Sequence, residues 1–498
     1  MTSGGAYYPS GNILTLALIP SCQDPVDRGI LVVAGFTDQS RYPIDTMYRD
    51  DETHAQPTAL ESGQQLATND SALSPARRIP DEILAKIFVA ALEQEGQSSK
   101  RRMGNRPFML VCHEWYTVSR NTPYLWTAIT YTPFLRMVKV KFSKLVEMHI
   151  SLSGALPLHI YMWSDFPVPM VRSLDHISIW DMLVAVSHRW ISFTTQIEFL
   201  NLFEGELDLP MLEYAKICAT DSRIPIPPLS CLKRAPQLKY VHLDVPWMAD
   251  NVRIDVSPCR LTRLSVRLAG GRRARDTMLD LLKECSASLR EFSCIWEWVE
   301  GEEDAASLGP PLLMPALECM KAATIGHRIL ACLAAPALKR LVLDVALEPW
   351  DWLLRIVRNG DAGRSLRELD LGLLTPQLPT LDPMLDILRE LDALDTFRIC
   401  DYGRPWPVSL PGRLVEPLTC GKGDEAERPL LPNLRCLHTL FFKSETTVDE
   451  ILKAFYPLRV SRAVERSVGG YPVKRMQEVS YFQFTNDNVD ISGSRAYP

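Results

Sequence analysis

Between about residues 190 and 460 the apolar and polar positions follow one repeated phrase: a leading leucine, two variable residues, an apolar residue, a variable one, and a second apolar residue. It reads Leu212-Glu-Tyr-Ala-Lys-Ile217, Leu238-Lys-Tyr-Val-His-Leu243, Leu261-Thr-Arg-Leu-Ser-Val266 and Leu289-Arg-Glu-Phe-Ser-Cys294. It returns at Leu317, Leu338, Leu366, Leu394 and Leu434. The fourth and sixth positions alternate, so on a strand both point to one side. No single short strand buries such a face; parallel stacking of many does. Between the phrases, residues 277–283, 351–357 and 384–391 carry apolar residues at helical spacing and predict an outer helical layer. The long last step, from Leu394 to Leu434, holds a polar loop around Cys420-Gly-Lys-Gly-Asp-Glu425.

Upstream the period changes. Ile83, Leu84, Ile87, Phe88, Ala91 and Leu92 recur at helical spacing and form one wide apolar face. Pro80 stands at the helix start, where its missing N–H costs nothing. Asp81 and Glu82 place negative charge at the positive end of the helix dipole. Leu110-Val-Cys-His-Glu-Trp115 and Thr122-Pro-Tyr-Leu-Trp126 follow, separated from the first helix by a polar insertion, Gln94 to Arg106. The apolar face exceeds what one short helix buries against itself, which predicts a small helical docking module over 76–130. Residues 1–75, rich in Ser, Gly, Pro, Thr, Asp and Gln, are expected to be disordered. Residues 131–189 read as a connector of helix and strand, 190–460 as the solenoid and 461–498 as a tail.

These phrases resemble two families. The spacing of the leading leucines, mostly 21 to 28 residues, is similar to that of leucine-rich repeats. The usual Asn or Cys beyond each strand is replaced by Pro246, Ala346 and Leu374, so the array is expected to be irregular. The order Ile79-Pro80-x-Glu82-Ile83-Leu84-x-x-Ile87-Phe88, Val111-Cys112-x-x-Trp115 and Pro123-x-Leu125-Trp126 resembles the F-box, in the form common in mushroom-forming fungi. The expected fold class is therefore α+β multidomain, a small all-α F-box followed by an irregular α/β solenoid with parallel strands.

The resemblance implies a substrate-recognition subunit of a Skp–cullin–F-box ubiquitin ligase, with no catalytic residue of its own. It implies that Ile79, Pro80, Ile83, Leu84, Ile87, Phe88, Val111, Cys112 and Trp115 meet the Skp adaptor, and through it a cullin–RING ligase. A protein substrate is expected on the concave strand face. By alternation Tyr240, His242, Asp244, Arg263, Arg267, Arg340, Asp344, Glu368, Asp370 and Arg398 look outward there. The rival expectation is an interaction scaffold that binds the adaptor or another partner without ubiquitination.

Composition narrows the chemistry. The 498-residue chain has a net charge of −6, which gives no bulk attraction to nucleic acid or anionic membrane. No apolar run is long enough to span a bilayer and no signal peptide is read, so the expected location is cytoplasmic or nuclear. The twelve cysteines show no C-x-x-C spacing and suit buried free thiols in a reducing compartment. The triplet Asn69-Asp-Ser71, without a secretory signal, is not read as a glycosylation site. Phosphate-loop, zinc-protease and serine-hydrolase motifs are missing, and neither metal nor cofactor is expected. Cys112 and His113 are adjacent on a helix and point about 100° apart, so they do not form a nucleophile–base pair. The acidic run Glu300, Glu302, Glu303, Asp304 and the basic cluster Arg272, Arg273, Arg275 read as solvated surface.

Overall fold

The computed structural model describes residues 79–95, 106–131, 142–163, 174–200, 207–219, 230–245, 260–269, 272–297, 309–324, 326–345, 350–373, 382–401, 409–419, 428–442, 448–468, 470–485, 488–490 and 494–496. All belong to one compact unit, Ser74–Pro498. The expected disorder of 1–75, the path of 96–105, the loop at 420–425, the acidic run at 300–304 and positions 246, 346 and 374 lie outside these residues.

The described residues open with three helices, α1 (Asp81–Glu95), α2 (Arg106–Met109) and α3 (His113–Arg120), then a 3-10 turn, Pro123–Trp126. The backbone carbonyl of Pro80 accepts from the N–H groups of Ile83 and Leu84, both at 2.9 Å, so Pro80 caps α1 from just outside. Leu84, Phe88, Val118, Leu125 and Trp126 form the module's own core. Phe88 stacks on Phe108 at 4.4 Å and lies 5.0 Å from the Trp115 ring.

A long parallel sheet follows. Its strands are β1 (Ala128–Tyr131), β2 (Leu158–Met162), β3 (Trp190–Gln196), β4 (Tyr214–Cys218), β5 (Tyr240–Val245), β6 (Arg263–Ala269) and β7 (Glu291–Glu297). After a short strand β8 (Leu312–Leu313) come β9 (Cys319–Thr324), the short β10 (Leu333–Ala334), β11 (Arg340–Val345), β12 (Glu368–Leu373), β13 (Thr396–Asp401) and β14 (Cys436–Phe442). A hairpin, β15 (Arg466–Val468) and β16 (Tyr471–Val473), precedes β17 (Glu478–Thr485). The order in the sheet is sequential from β1 to β17, with β8, β10, β15 and β16 outside it, and the sheet is not closed.

The register explains the repeated phrase. Ala215, Val241, Leu264, Phe292, Met320, Leu341, Leu369, Phe397, Leu437 and Val479 are direct partners from strand to strand. All are buried. Two residues on, Ile217, Leu243, Val266, Cys294, Ala322, Leu343, Leu371 and Ile399 make a second buried row. Burying each large apolar side chain stabilises by about 1.5–3 kcal/mol. Helices cover this face: α4 (Phe142–Leu152), α5 (Leu174–Ala185), α6 (Ile197–Leu200), α7 (Arg272–Glu284), α8 (His327–Leu330), α9 (Trp350–Asn359), α10 (Asp382–Arg389), α11 (Ser409–Leu418) and α12 (Val448–Ser461). Three of them, α7, α9 and α10, coincide with the expected helical stretches. Met278, Leu282, Leu353, Ile356, Met384 and Leu388 join the strand residues in one core. This is a parallel-strand α/β, solenoid-like architecture.

The sheet runs further than the 190–460 span expected. Upstream, β1 and β2 lie within the segments read as module and connector; downstream, β17 is a full rung where a tail was expected. Met476, fully buried, takes the place of the leading leucine before β17, so a repeat is present without a leucine to mark it. Beyond β17, β18 (Asn488–Asp490) and β19 (Ser494–Ala496) pair antiparallel with its two halves. They cover an edge that would otherwise leave backbone groups unpaired.

Trp126 couples the helical module to the sheet. Its indole N–H donates to the Ser119 carbonyl at 2.9 Å, and its ring meets His149 of α4 edge-on at 5.0 Å. Met148 and Leu152 of α4 pack against the module core.

Candidate functional site

Two surfaces carry the expected site residues. On the helical module the nine residues divide. Leu84 is 1% exposed and Phe88 0%, so both are core and cannot meet a partner without unfolding the module. This corrects their assignment to the docking face. The reason is periodicity: residues 84 and 88 share one stripe of α1, while 83 and 87 lie on the next, turned about 100°. Ile83 and Ile87 are each 46% exposed and Val111 58%. Pro80 is exposed; Ile79, Cys112 and Trp115 are half-buried. Cys112 precedes α3 in an extended conformation and makes no side-chain cap bond. Leu110 and Tyr124 are also exposed and were not named from sequence. Both sit inside apolar runs, Phe108 to Cys112 and Pro123 to Trp126, so their local sequence did not mark them as exposed.

The second surface is the sheet face turned away from the helices. All ten expected residues stand on it in aligned rows. Tyr240, Arg263, Glu291, Cys319, Arg340, Glu368, Thr396, Cys436 and Glu478 form one row across the strands. Lys216, His242, Ser265, Ser293, Lys321, Val342, Asp370, Arg398, His438 and Ser480 form the next. Asp244, Arg267 and Asp344 lie one step further along.

Charges alternate along these rows and pair. Asp370 is held by two guanidiniums, Arg340 and Arg398, each at 3.2 Å. Arg340 also lies 3.5 Å from Glu368, and Arg263 lies 3.0 Å from Glu291. Arg267 and Asp244 are looser, at 3.9 Å. An open cleft of about 500 Å³ lies at the start of the strands, bounded by Arg263, Arg290, Lys339 and Arg340 with Glu291 and Glu318. Lys339 pairs with Glu318 at 2.8 Å, and its hydrogen bond holds that carboxyl below the usual carboxylate range.

Burial tunes the titrating groups. His242 is pushed down to about 4, first by burial and then by Lys216 on the neighbouring strand, so it is neutral at pH 7. The Asp344 carboxyl is raised by burial and then by Asp370, with Lys321 opposing. The Tyr240 phenol is raised, chiefly by burial.

At the C-terminal end of the face, Cys436, His438 and Glu478 converge, and none was named from sequence. Cys436-Leu-His438 is itself a signal, because residues two apart on a strand share a face. Among the described residues no helix is long and apolar enough to cross a membrane. The cysteines at 218, 285, 294 and 332 are buried free thiols. Comparison of the chain with family models gives no match, and comparison with curated proteins gives none.

Proposed function

We propose that the chain is the substrate-recognition subunit of a Skp–cullin–F-box ubiquitin ligase. The helical module is then the F-box, and the parallel-strand array is an irregular leucine-rich-repeat domain that presents a protein substrate. The observation that carries this reading is the set of exposed apolar side chains on a module whose own core is complete without them. Ile83, Ile87, Leu110, Val111 and Tyr124 remain outside, while Leu84, Phe88, Val118, Leu125 and Trp126 close the core. Exposed apolar side chains mark interaction surfaces where they form one patch. The proposed docking set is Ile79, Pro80, Ile83, Ile87, Val111, Cys112 and Trp115, joined by Leu110 and Tyr124.

The mechanism is tethering. The adaptor holds one end of the chain, the mixed-charge face holds a substrate, and substrate lysines gain effective concentration near the ubiquitin-charged partner enzyme. The Trp126–His149 contact supports this, because it ties the module to the sheet and limits the orientations that substrate samples.

The test is co-purification of the Skp adaptor with the full chain and with the double variant Ile83→Glu, Ile87→Glu. Both positions are exposed and glutamate is a good helix former, so the fold is expected to persist. Adaptor retention is expected to fall by about tenfold or more, with an unchanged circular dichroism spectrum. Equal retention by both chains would overturn the reading. Adaptor binding without ubiquitination of any captured substrate would leave the scaffold role in its place.

A further inference from the structure

We propose that Cys436, His438 and Glu478 form a binding site for a zinc-class divalent cation that staples the last two parallel strands of the sheet. The site is independent of the docking reading above, since it uses neither the helical module nor any adaptor.

The geometry follows from the register. Cys436 and His438 are two apart on β14 and therefore project from the same face. Cys436 is the direct partner of Glu478 on β17. One thiol sulphur, one imidazole nitrogen and one carboxylate oxygen lie within 4.8 Å of one another, and all three residues are half-buried. Around a tetrahedral zinc ion with bonds of roughly 2.0–2.3 Å, ligand atoms sit roughly 3.3–3.8 Å apart. Side-chain rotations that draw the three atoms together by about 1 Å would complete the site.

The donor set selects the ion. Thiolate and imidazole favour zinc over calcium or magnesium, which take oxygen ligands. One thiolate and one carboxylate together balance a divalent charge. Three protein ligands leave the fourth position toward solvent, on the open side of the sheet.

The surroundings fit a ligating role. His438 Nδ1 is the ring nitrogen that faces the carboxylate, 3.8 Å from Glu478 Oε1, and it also meets the Ser480 hydroxyl, a contact that ligation through Nδ1 would replace. Thr396, the partner of Cys436 on β13, donates its hydroxyl to the Asp395 carboxylate at 2.8 Å. The nearby cation Arg398 is already engaged by Asp370 at 3.2 Å, so its charge is compensated before an ion enters. A staple here has mechanical meaning. β17 is joined to β14 through a long excursion that includes α12 and the β15–β16 hairpin, and an ion bridging the two strands would hold that rung in register.

The test uses the purified full chain stripped of metal. Cobalt(II) is titrated as a spectroscopic stand-in for zinc, and zinc affinity is then measured by competition with a chromogenic chelator. The expected result is one cobalt per chain, with a thiolate-to-cobalt charge-transfer band in the near ultraviolet. Cys436→Ser is expected to remove that band. His438→Ala and Glu478→Gln are each expected to weaken zinc binding by about tenfold or more. Cys319→Ser, which alters another half-buried cysteine in the same row, controls for nonspecific thiol binding and is expected to change nothing. Circular dichroism confirms folding of each variant; Cys436→Ser is nearly isosteric and keeps the test valid if the alanine variant unfolds. A wild-type chain without the thiolate band, or a Cys436→Ser chain with the same band and affinity, would overturn the proposal.

Discussion

The helical module and the parallel ladder use apolar residues in opposite ways. In the ladder, strand alternation sends nearly every large apolar side chain inward and leaves the other face to charged and polar groups. The row from Ala215 to Val479 is buried at each described strand it crosses. In the module, a short helix carries two apolar stripes and buries only one. Leu84 and Phe88 vanish into a five-residue core, while Ile83 and Ile87 stay half in water. The ladder satisfies itself by repetition, whereas the module is left with exposed apolar surface.

The comparison breaks most sharply under matched truncations. Phe88→Ala and Phe397→Ala each remove a fully buried ring and are each expected to cost about 3–5 kcal/mol. The consequences should differ. The module has few other core residues, so Phe88→Ala is expected to abolish its amide protection while the sheet stays protected. Phe397 has buried partners on both sides, Leu369 and Leu437, so Phe397→Ala should lower the unfolding midpoint of the sheet and leave the module's protection intact. Hydrogen exchange resolved by segment reads both results. Loss of protection throughout the chain in either variant would show that module and ladder unfold as one.

A smaller effect tests how tightly the repeats stack. A Cβ on Gly363 would lie 2.3 Å from the Glu390 carbonyl oxygen, where the turn after α9 meets the end of α10. Backbone atoms there cannot yield cheaply, so Gly363→Ala is expected to destabilise by about 1–3 kcal/mol in urea unfolding. A neutral result would mean that adjacent repeats can separate locally.

The smallest effect at neutral pH concerns the open face. Folded His242 titrates at about 4 against 6.5 for an ordinary histidine. Between those values the unfolded chain binds the extra proton, so stability falls as pH is lowered from 6.5, and the loss is complete below about 4. Lys216 on β4 and Ser265 on β6 flank the ring in register, with Asp244 and Tyr240 on its own strand. His242→Asn is expected to match the wild type at pH 7.5 and to show a shallower loss of stability across that window. Parallel curves for both chains would mean that the ring is solvated.

Much of this was legible in the sequence because alternation is a local property. The Leu-x-x-apolar-x-apolar phrase identified nine rungs, and outward positions such as Arg340, Asp370 and Arg398 followed by counting. Counting failed where a rung lacks its marker. The β17 repeat begins at Met476, and β1 begins two residues after Trp126, which is also a core residue of the helical module. It failed again on α1, where helical spacing identifies an apolar face but not which stripe the other helices cover.

The sequence by itself determined the period of the array, the side of each strand that enters the core, and the helical character of the module, since each depends on neighbours along the chain. Only the tertiary structure decided which module residues remain exposed, that Asp370 lies between two arginines, and that Cys436 and His438 meet Glu478 some forty residues later. Those outcomes depend on which strand lies beside which and in what register. That is set by the lengths of the connections and the packing of the helices over them, and neither can be read from any one repeat.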